Sequence, residues 1–100
     1  MRKAVRDIPQ DALGAVCRRY LVRELAIFGS ALRDDFGADS DIDLLVSFQP
    51  DARVGFLTLA RLARDLSALF GRKVDLVPKD GLKPLIRDGV LKQAETLFAA

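Results

Sequence analysis

Residues 40–48 read Ser-Asp-Ile-Asp-Leu-Leu-Val-Ser-Phe, and the architecture of the chain is organised around them. The even positions from 42 to 48 are all apolar, whereas the odd positions begin with Asp41 and Asp43. Side chains two residues apart on a β-strand point to the same face, so this alternation predicts a strand over 41–48. One face of the strand would be buried, and the other would carry two neighbouring carboxylates.

Predicted helices and strands on both sides of this segment complete an α/β (α+β) fold. Apolar residues at helical spacing mark the helices, and short apolar runs bounded by Gly or Pro mark the strands. The order α-β-α-β-α-β-α predicts a small mixed sheet of about three strands with helices packed against it. The elements are a helix from Pro9 to Tyr20, a strand over 23–28, a short helical stretch over 30–33, the strand over 41–48, a helix over 56–70 ended by Gly71, a strand over 73–77, and a last helix from about Pro84 to Phe98.

The composition limits both the size of the fold and its chemistry. One hundred residues, 50% apolar and 30% charged, predict a single globular domain over residues 1–100. The chain contains no histidine. This excludes Ser-His-Asp and Cys-His hydrolysis as well as His-ligated zinc. Any chemistry must therefore use carboxylates, hydroxyls, backbone amides, Lys, Arg or a metal ion.

Charge and cysteine content predict the setting in which the chain works. Sixteen basic residues against fourteen acidic ones give a net charge of +2, and the basic residues are spread along the sequence. This spread argues against direct nucleic-acid binding. The single Cys17 cannot form an internal disulfide, and no apolar run follows the charged N-terminus or approaches the ~20 residues of a membrane span. We therefore expect a soluble cytoplasmic domain with no membrane partner.

Phe28-Gly29-Ser30 leads from the predicted strand over 23–28 into the short helical stretch. Such a turn allows backbone N–H groups and the Ser30 hydroxyl to hold a phosphate, next to the positive end of a helix dipole. An ordinary strand-to-helix connection, with Ser30 as the N-cap, accounts for the same residues. The turn is therefore a candidate phosphate site that needs support from elsewhere in the chain.

Three aspartates are candidate metal ligands. Asp41 and Asp43 repel each other, and a folded protein keeps such a pair ionised most readily around a cation such as Mg²⁺ or Mn²⁺. A helix N-cap or a solvated strand end would explain the same pair. Asp75 is the single acid of the strand over 73–77, where it must face solvent, pair with Lys73 or bind metal.

If the strands over 41–48 and 73–77 are neighbours in the sheet, Asp75 would have a catalytic role. In that arrangement Asp75 completes a cluster of three carboxylates, which predicts metal-assisted phosphoryl or nucleotidyl transfer. Because no histidine is available, Asp75 is then the natural general base for an attacking hydroxyl.

The spacing of these residues resembles the signature of the nucleotidyltransferase superfamily related to DNA polymerase β. Gly29-Ser30 is followed after ten residues by Asp41-Ile42-Asp43, with Ser40 just before them, and the third acid lies in Val74-Asp75-Leu76-Val77. The whole chain is similar to the minimal nucleotidyltransferase branch, which includes antitoxins paired with HEPN-type ribonuclease toxins. The resemblance implies the nucleotidyltransferase fold, Mg²⁺ or Mn²⁺ as cofactor, and ATP as substrate.

The resemblance also implies a role for each matching residue. Gly29 and Ser30 would hold the triphosphate of the nucleotide. Asp41 and Asp43 would ligate the metal ions, and Asp75 would be the third catalytic carboxylate and metal ligand.

Arg33 lies three residues after the serine and matches an arginine usual in this branch, so it would meet phosphate charge. A surface arginine paired with Asp34 or Asp35 would explain it equally well. The branch commonly has glycine after this arginine, whereas this chain has Asp34 and then Asp35. These two additional acids would weaken the binding of a triphosphate.

The short chain leaves no length for an acceptor domain, so we expect a second protein, or a second copy of this one, to bring the acceptor. The resemblance implies a HEPN-type toxin, neutralised by transfer of AMP from ATP to a hydroxyl, with a tyrosine as the expected acceptor. Two alternatives stay open: a non-catalytic module of the same fold that neutralises the toxin sterically, and nucleotidyl transfer to a small molecule or an RNA end.

The last predicted helix has apolar residues on more than one side, which predicts that part of it, or of the helix over 56–70, meets a partner. Packing of both helices on the sheet would explain most of the same residues. The residues concerned are Leu82, Leu85, Ile86, Val90, Leu91, Leu97 and Phe98.

Overall fold

The computed structural model describes residues 8–28 and 41–100. The predicted short helix over 30–33 lies outside them. The elements of the described part are α1 (Gln10–Arg19), β1 (Val22–Phe28), β2 (Ile42–Phe48), α2 (Phe56–Phe70), β3 (Val74–Pro78), a 3-10 turn (Lys79–Gly81), α3 (Pro84–Gln93) and β4 (Glu95–Ala99).

The strands form one mixed sheet in the order β3-β2-β1-β4. β1 pairs antiparallel with both β2 and β4, whereas β2 and β3 are parallel. The predicted fold class is confirmed, with four strands in the sheet rather than about three. The positions of α1, α2 and the first three strands also agree with the sequence to within one or two residues, although Pro9 is the N-cap of α1 rather than part of its first turn.

The main core contains buried side chains of α1 and α2 together with those on one face of the sheet. Ile42, Leu44 and Val46 of β2 are fully buried in it, as the alternation over 41–48 predicts. Burial of such side chains contributes roughly 1.5–3 kcal/mol each to the stability of the fold. The other elements contribute Leu13 and Cys17 of α1, Leu25 and Ile27 of β1, Leu62, Leu66 and Phe70 of α2, and Val74 of β3.

The opposite face of the sheet is covered in its middle by the segment around α3. Ala26 of β1, Leu45 of β2 and Leu82 form a second, smaller buried cluster, against which Val90 and Leu91 pack. The face that carries Asp43 is therefore apolar and buried at Leu45, two residues further along β2. The carboxylates lie at one end of this face and not along its whole length.

The last helix is shorter than predicted, and the prediction of a helix from about Pro84 to Phe98 was wrong at its C-terminal end. α3 ends at Gln93, and Glu95–Ala99 form β4, which pairs with β1. A strand at the edge of a sheet exposes unpaired N–H and C=O groups, and β4 satisfies those of β1. Leu97 and Phe98 are consequently strand residues, partly buried against the main core. No helix in the described part of the chain is both long enough and apolar enough to cross a membrane.

Candidate active site

The parallel pairing of β2 with β3 brings two carboxylates side by side. Asp43 lies directly opposite Asp75 in the register, between the pairs Ile42–Val74 and Leu44–Leu76. Directly paired residues on neighbouring strands point to the same face, so both aspartates project on the side of Leu45. The two acid-bearing strands are thus neighbours, as the hypothesis of a three-carboxylate cluster requires.

Asp41 lies just before β2, two positions from Asp43. The Ile42 N–H donates a hydrogen bond of 2.9 Å to the Lys73 carbonyl, and this bond fixes residue 41 next to residue 73. The Lys73 ammonium nitrogen is 3.9 Å from Oδ2 of Asp41. The sequence analysis named Lys73 as a possible partner of Asp75. In the structure Lys73 instead forms an ion pair with Asp41, on the neighbouring chain segment.

Ser67 is a residue of this site that sequence reasoning missed. Its hydroxyl donates to the Ala63 carbonyl at 2.7 Å and accepts the Val74 N–H at 2.9 Å. Gly71, with φ of 70°, ends α2 as predicted, and its N–H donates to the Ser67 carbonyl. Ser67 thereby anchors the first residue of β3 to the last turn of α2, one position before Asp75. The only sequence signal was a hydroxyl residue four positions before the glycine that ends the helix.

The donor chemistry at this end of the sheet fits a hard divalent cation. Three carboxylates offer the oxygen ligands that Mg²⁺ and Mn²⁺ prefer. Like charges directly opposite on neighbouring strands destabilise a sheet, and a cation between Asp43 and Asp75 would relieve this repulsion. Among residues 8–28 and 41–100, no three Asp, Glu, Cys or His side chains already stand in an arrangement that could hold a metal ion. The match between this site and a divalent cation therefore depends on two features. The ligand atoms are carboxylate oxygens, and the strand register aligns Asp43 with Asp75.

The predicted triphosphate-binding residues Gly29, Ser30 and Arg33 lie outside the described residues, as do the two acids that follow Arg33. Their roles stay predictions. The described part shows where the segment begins: β1 ends at Phe28, and Phe28 pairs with Asp43 in the antiparallel register. β1 therefore ends beside Asp43.

A groove of about 350 Å³ in the described part of the molecule lies away from these carboxylates. The pair Glu24–Ser47 contributes to it, and this pair is four residues along β1 from Phe28–Asp43, or about 13 Å. The groove mixes basic and acidic side chains and does not belong to the carboxylate site. Its lining residues are Arg23, Glu24, Ser47, Phe48, Lys79, Asp80 and Arg87.

The residues predicted to form a partner interface fall into different environments. Leu82 is buried in the second core, and Val90 and Leu91 are partly buried against it. Leu85 is fully exposed at 100%, and the side chain of Ile86 is outside the described set. On α2, Phe56 and Leu57 are 83% and 70% exposed. An interface with a partner on α2 or α3 therefore stays a prediction, and these exposed side chains are its candidate contacts.

Comparisons with known proteins identify a matching family and several similar proteins. The nucleotidyltransferase domain family matches residues 10–96. The protein adenylyltransferase MntA of Thermococcus cleftensis is 41% identical over 75 residues, which cover 75% of this chain and 74% of that protein.

Two solved structures have a similar fold. One, described provisionally as a minimal nucleotidyltransferase, is 37% identical with a TM-score of 0.71 and covers 86% of both chains. The other is a complex of a tri-AMPylated HEPN toxin of Shewanella oneidensis with an MNT antitoxin. It matches with 20% identity and a TM-score of 0.65, over 91% of this chain and 70% of that one. At that identity the second match shows the fold alone.

Proposed function

Because the chain belongs to the nucleotidyltransferase domain family, we propose that it is a Mg²⁺-dependent protein adenylyltransferase that neutralises a partner HEPN-type ribonuclease toxin. In this reaction AMP passes from ATP to a hydroxyl of the toxin, with a tyrosine as the expected acceptor. The family match over residues 10–96 confirms the predicted nucleotidyltransferase class, and a nucleotide is the substrate of this class.

The observation that carries the proposal is the register of the parallel strands. It aligns Asp43 with Asp75, while Asp41 lies two residues before Asp43 beside the same strand. A plain structural sheet gains nothing from two opposed carboxylates at one end of an otherwise apolar face. A site that binds a divalent cation and a triphosphate needs such a cluster.

Each carboxylate then has a distinct task. Asp41, Asp43 and Asp75 would hold Mg²⁺, which supplies positive charge against the triphosphate when it is bound. Asp75 accepts the proton of the attacking hydroxyl. The hydroxyl oxygen forms a bond to the α-phosphorus, the bond from that phosphorus to the bridging oxygen of the β-phosphate breaks, and pyrophosphate leaves. Gly29, Ser30 and Arg33 would bind the triphosphate through backbone N–H groups, a hydroxyl and a guanidinium.

The names of similar proteins support the acceptor. The Thermococcus relative is named a protein adenylyltransferase, and the Shewanella structure is described as an AMPylated HEPN toxin with its MNT antitoxin. We therefore propose the same activity, protein adenylylation, and the same kind of partner, a HEPN toxin, for this chain. Since the reaction consumes ATP, we propose the cytoplasm as its place of action.

The experiment incubates the chain with ATP labelled in its α-phosphate and with the purified HEPN toxin. Label should appear on the toxin, and Asp43→Asn should lower the rate at least about 100-fold because it removes one carboxylate of the opposed pair. Asp75→Asn should do the same. Asp51→Asn, an exposed acid beyond the end of β2, is the matched control and should keep the wild-type rate.

Three results would contradict the proposal. If Asp43→Asn transferred AMP at the wild-type rate, the carboxylate cluster would have no role in the mechanism. Neutralisation of the toxin by Asp43→Asn as strong as by wild type would mean that binding alone silences the toxin. Label on RNA or on a small molecule in the absence of any partner protein would identify a different acceptor.

A further inference from the structure

The ion pair between Lys73 and Asp41 points to a second function at the carboxylate site. We propose that Lys73 is an exchangeable counter-ion, which neutralises Asp41 while the site is empty and binds the phosphate groups of the nucleotide once a divalent cation occupies Asp41. The inference rests on the proposed function, because it takes Asp41 to be a metal ligand.

The backbone of Lys73 is held firmly while its side chain is not. The Lys73 carbonyl accepts the Ile42 N–H of β2 at 2.9 Å, and the next residue, Val74, donates its N–H to the Ser67 hydroxyl at 2.9 Å. Val74 itself is buried. The Lys73 side chain, in contrast, is 72% exposed. A fixed anchor with a long exposed side chain allows the ammonium to change partner without any movement of the sheet.

The contact between the two charges is loose. The Nζ–Oδ2 distance of 3.9 Å exceeds the 2.7–2.9 Å of a charge-assisted hydrogen bond, and the Asp41 side chain is 45% exposed. Solvent-exposed pairs of this kind contribute about 0.2–1 kcal/mol. Mg²⁺ binds carboxylate oxygen at roughly 2.0–2.1 Å and carries twice the charge of an ammonium. Asp41 would therefore exchange the ammonium for such a cation.

The local charges determine where the ammonium goes next. Asp41, Asp43 and Asp75 place three negative charges at the start of two neighbouring strands. Without a metal, the Lys73 ammonium lies beside Asp41. With a divalent cation at this end of the sheet, the Lys73 ammonium would be repelled from Asp41 and attracted to the negatively charged triphosphate. Lysine binds phosphate as a point charge on a flexible stem, and this requires no second conformation of the backbone.

The proposal predicts that a single substitution, Lys73→Met, raises the affinity for a metal ion and lowers the affinity for the nucleotide. Lys73→Met removes a competitor for Asp41, so a metal ion alone should bind more tightly. The same variant lacks a phosphate contact, so the nucleotide should bind more weakly. A lysine that merely stabilises the sheet would produce neither effect, and a lysine that only binds phosphate would leave metal affinity unchanged.

The test measures binding, not turnover. Titration with Mn²⁺ alone, followed by electron paramagnetic resonance, should give a Kd for Lys73→Met about two- to fivefold lower than for wild type. Calorimetry with a non-hydrolysable ATP analogue and Mg²⁺ should give a Kd about tenfold higher. Lys73→Arg should stay close to wild type in both titrations. Lys92→Met, an exposed lysine of α3, is the matched control and should alter neither value.

The possible outcomes separate this inference from the proposed function. Unchanged or weaker Mn²⁺ binding by Lys73→Met would overturn the inference alone, and so would an unchanged Kd for the ATP analogue. With Lys73 left in place, Asp41→Asn should weaken Mn²⁺ binding relative to wild type. If it does not, Asp41 is not a metal ligand, and both the inference and the proposed metal site are wrong.

Discussion

Cys17 lies completely buried in the main core, and burial raises the pKa of its thiol from 9.0 to about 11, while the neighbouring Arg18 acts in the opposite direction. A thiol in this state is a packing residue and not a nucleophile, because the reactive form is the thiolate. The absence of histidine already excluded a Cys-His mechanism, and the position of Cys17 agrees with that exclusion.

We predict that Cys17 makes the protein less stable at alkaline pH. Below about pH 9 the thiol is protonated in both the folded and the unfolded chain, so its contribution to stability is fully present. Between pH 9 and about 11 the unfolded thiol ionises first, and the free energy of unfolding should fall by roughly 2–3 kcal/mol. Urea unfolding at several pH values measures this loss, and a thiol reagent at pH 8 should label only the unfolded chain.

The control for this prediction is Cys17→Ala. That variant should be less stable at pH 7.5, because a buried sulfur is lost, but its stability should decline less between pH 9 and 11. The relevant quantity is the difference between the two proteins, because this difference isolates the contribution of Cys17. An equal alkaline decline in both would show that Cys17 ionises as readily in the folded state as in the unfolded one.

Secondary-structure elements were predictable from the sequence where local pattern determines them. The alternation over 41–48 fixed β2 to within one residue, and Gly71 marked the end of α2, because a left-handed residue there is best supplied by glycine. β4 was missed, because residues 95–99 become a strand only by pairing with β1, a partner about seventy positions away.

The candidate site shows the same division between local and long-range information. Asp41, Asp43 and Asp75 could be selected from residue type and spacing. The opposition of Asp43 and Asp75, and the pairing of Lys73 with Asp41, follow from the register of two strands that no local signal specifies. The sequence therefore predicts that Asp75 joins Asp41 and Asp43 if β2 and β3 are neighbours. It does not predict that these two strands are neighbours.

We predict that Ser67 controls the position of β3. In Ser67→Ala the buried Val74 N–H loses its acceptor, which should lower the free energy of unfolding by about 1–2 kcal/mol. Because Val74 precedes Asp75, AMP transfer should fall as well, by about tenfold, while the Kd of the ATP analogue changes little. Ser67→Thr keeps the hydroxyl and should remain close to wild type. If Ser67→Ala transfers AMP at the wild-type rate, the anchor does not position Asp75.

The molecule as a whole is a sheet with unequal cover on its two faces. One face carries the main core with α1 and α2, whereas the smaller cluster of Ala26, Leu45 and Leu82 lies on the other, with Val90 and Leu91 of α3 packed against it.

Closure of the sheet by β4 makes the C-terminal segment part of the fold. Phe98 pairs with Leu25 of β1 and packs partly buried on the main core. Phe98→Asp should therefore lower the free energy of unfolding by about 2 kcal/mol or more, because a charge would replace a partly buried aromatic ring. Leu85→Asp, at a fully exposed position of α3, should change it by less than about 0.5 kcal/mol. Urea unfolding followed by circular dichroism measures both.

This contrast decides how loss of partner binding can be interpreted. A charged substitution at Phe98 that abolishes binding of the toxin would report an unfolded chain, since β4 holds the edge of β1. The same loss in Leu85→Asp, with the free energy of unfolding unchanged, would locate a contact on α3. Wild-type stability of Phe98→Asp would contradict the role of β4 in the fold and would return Phe98 to the set of candidate interface residues.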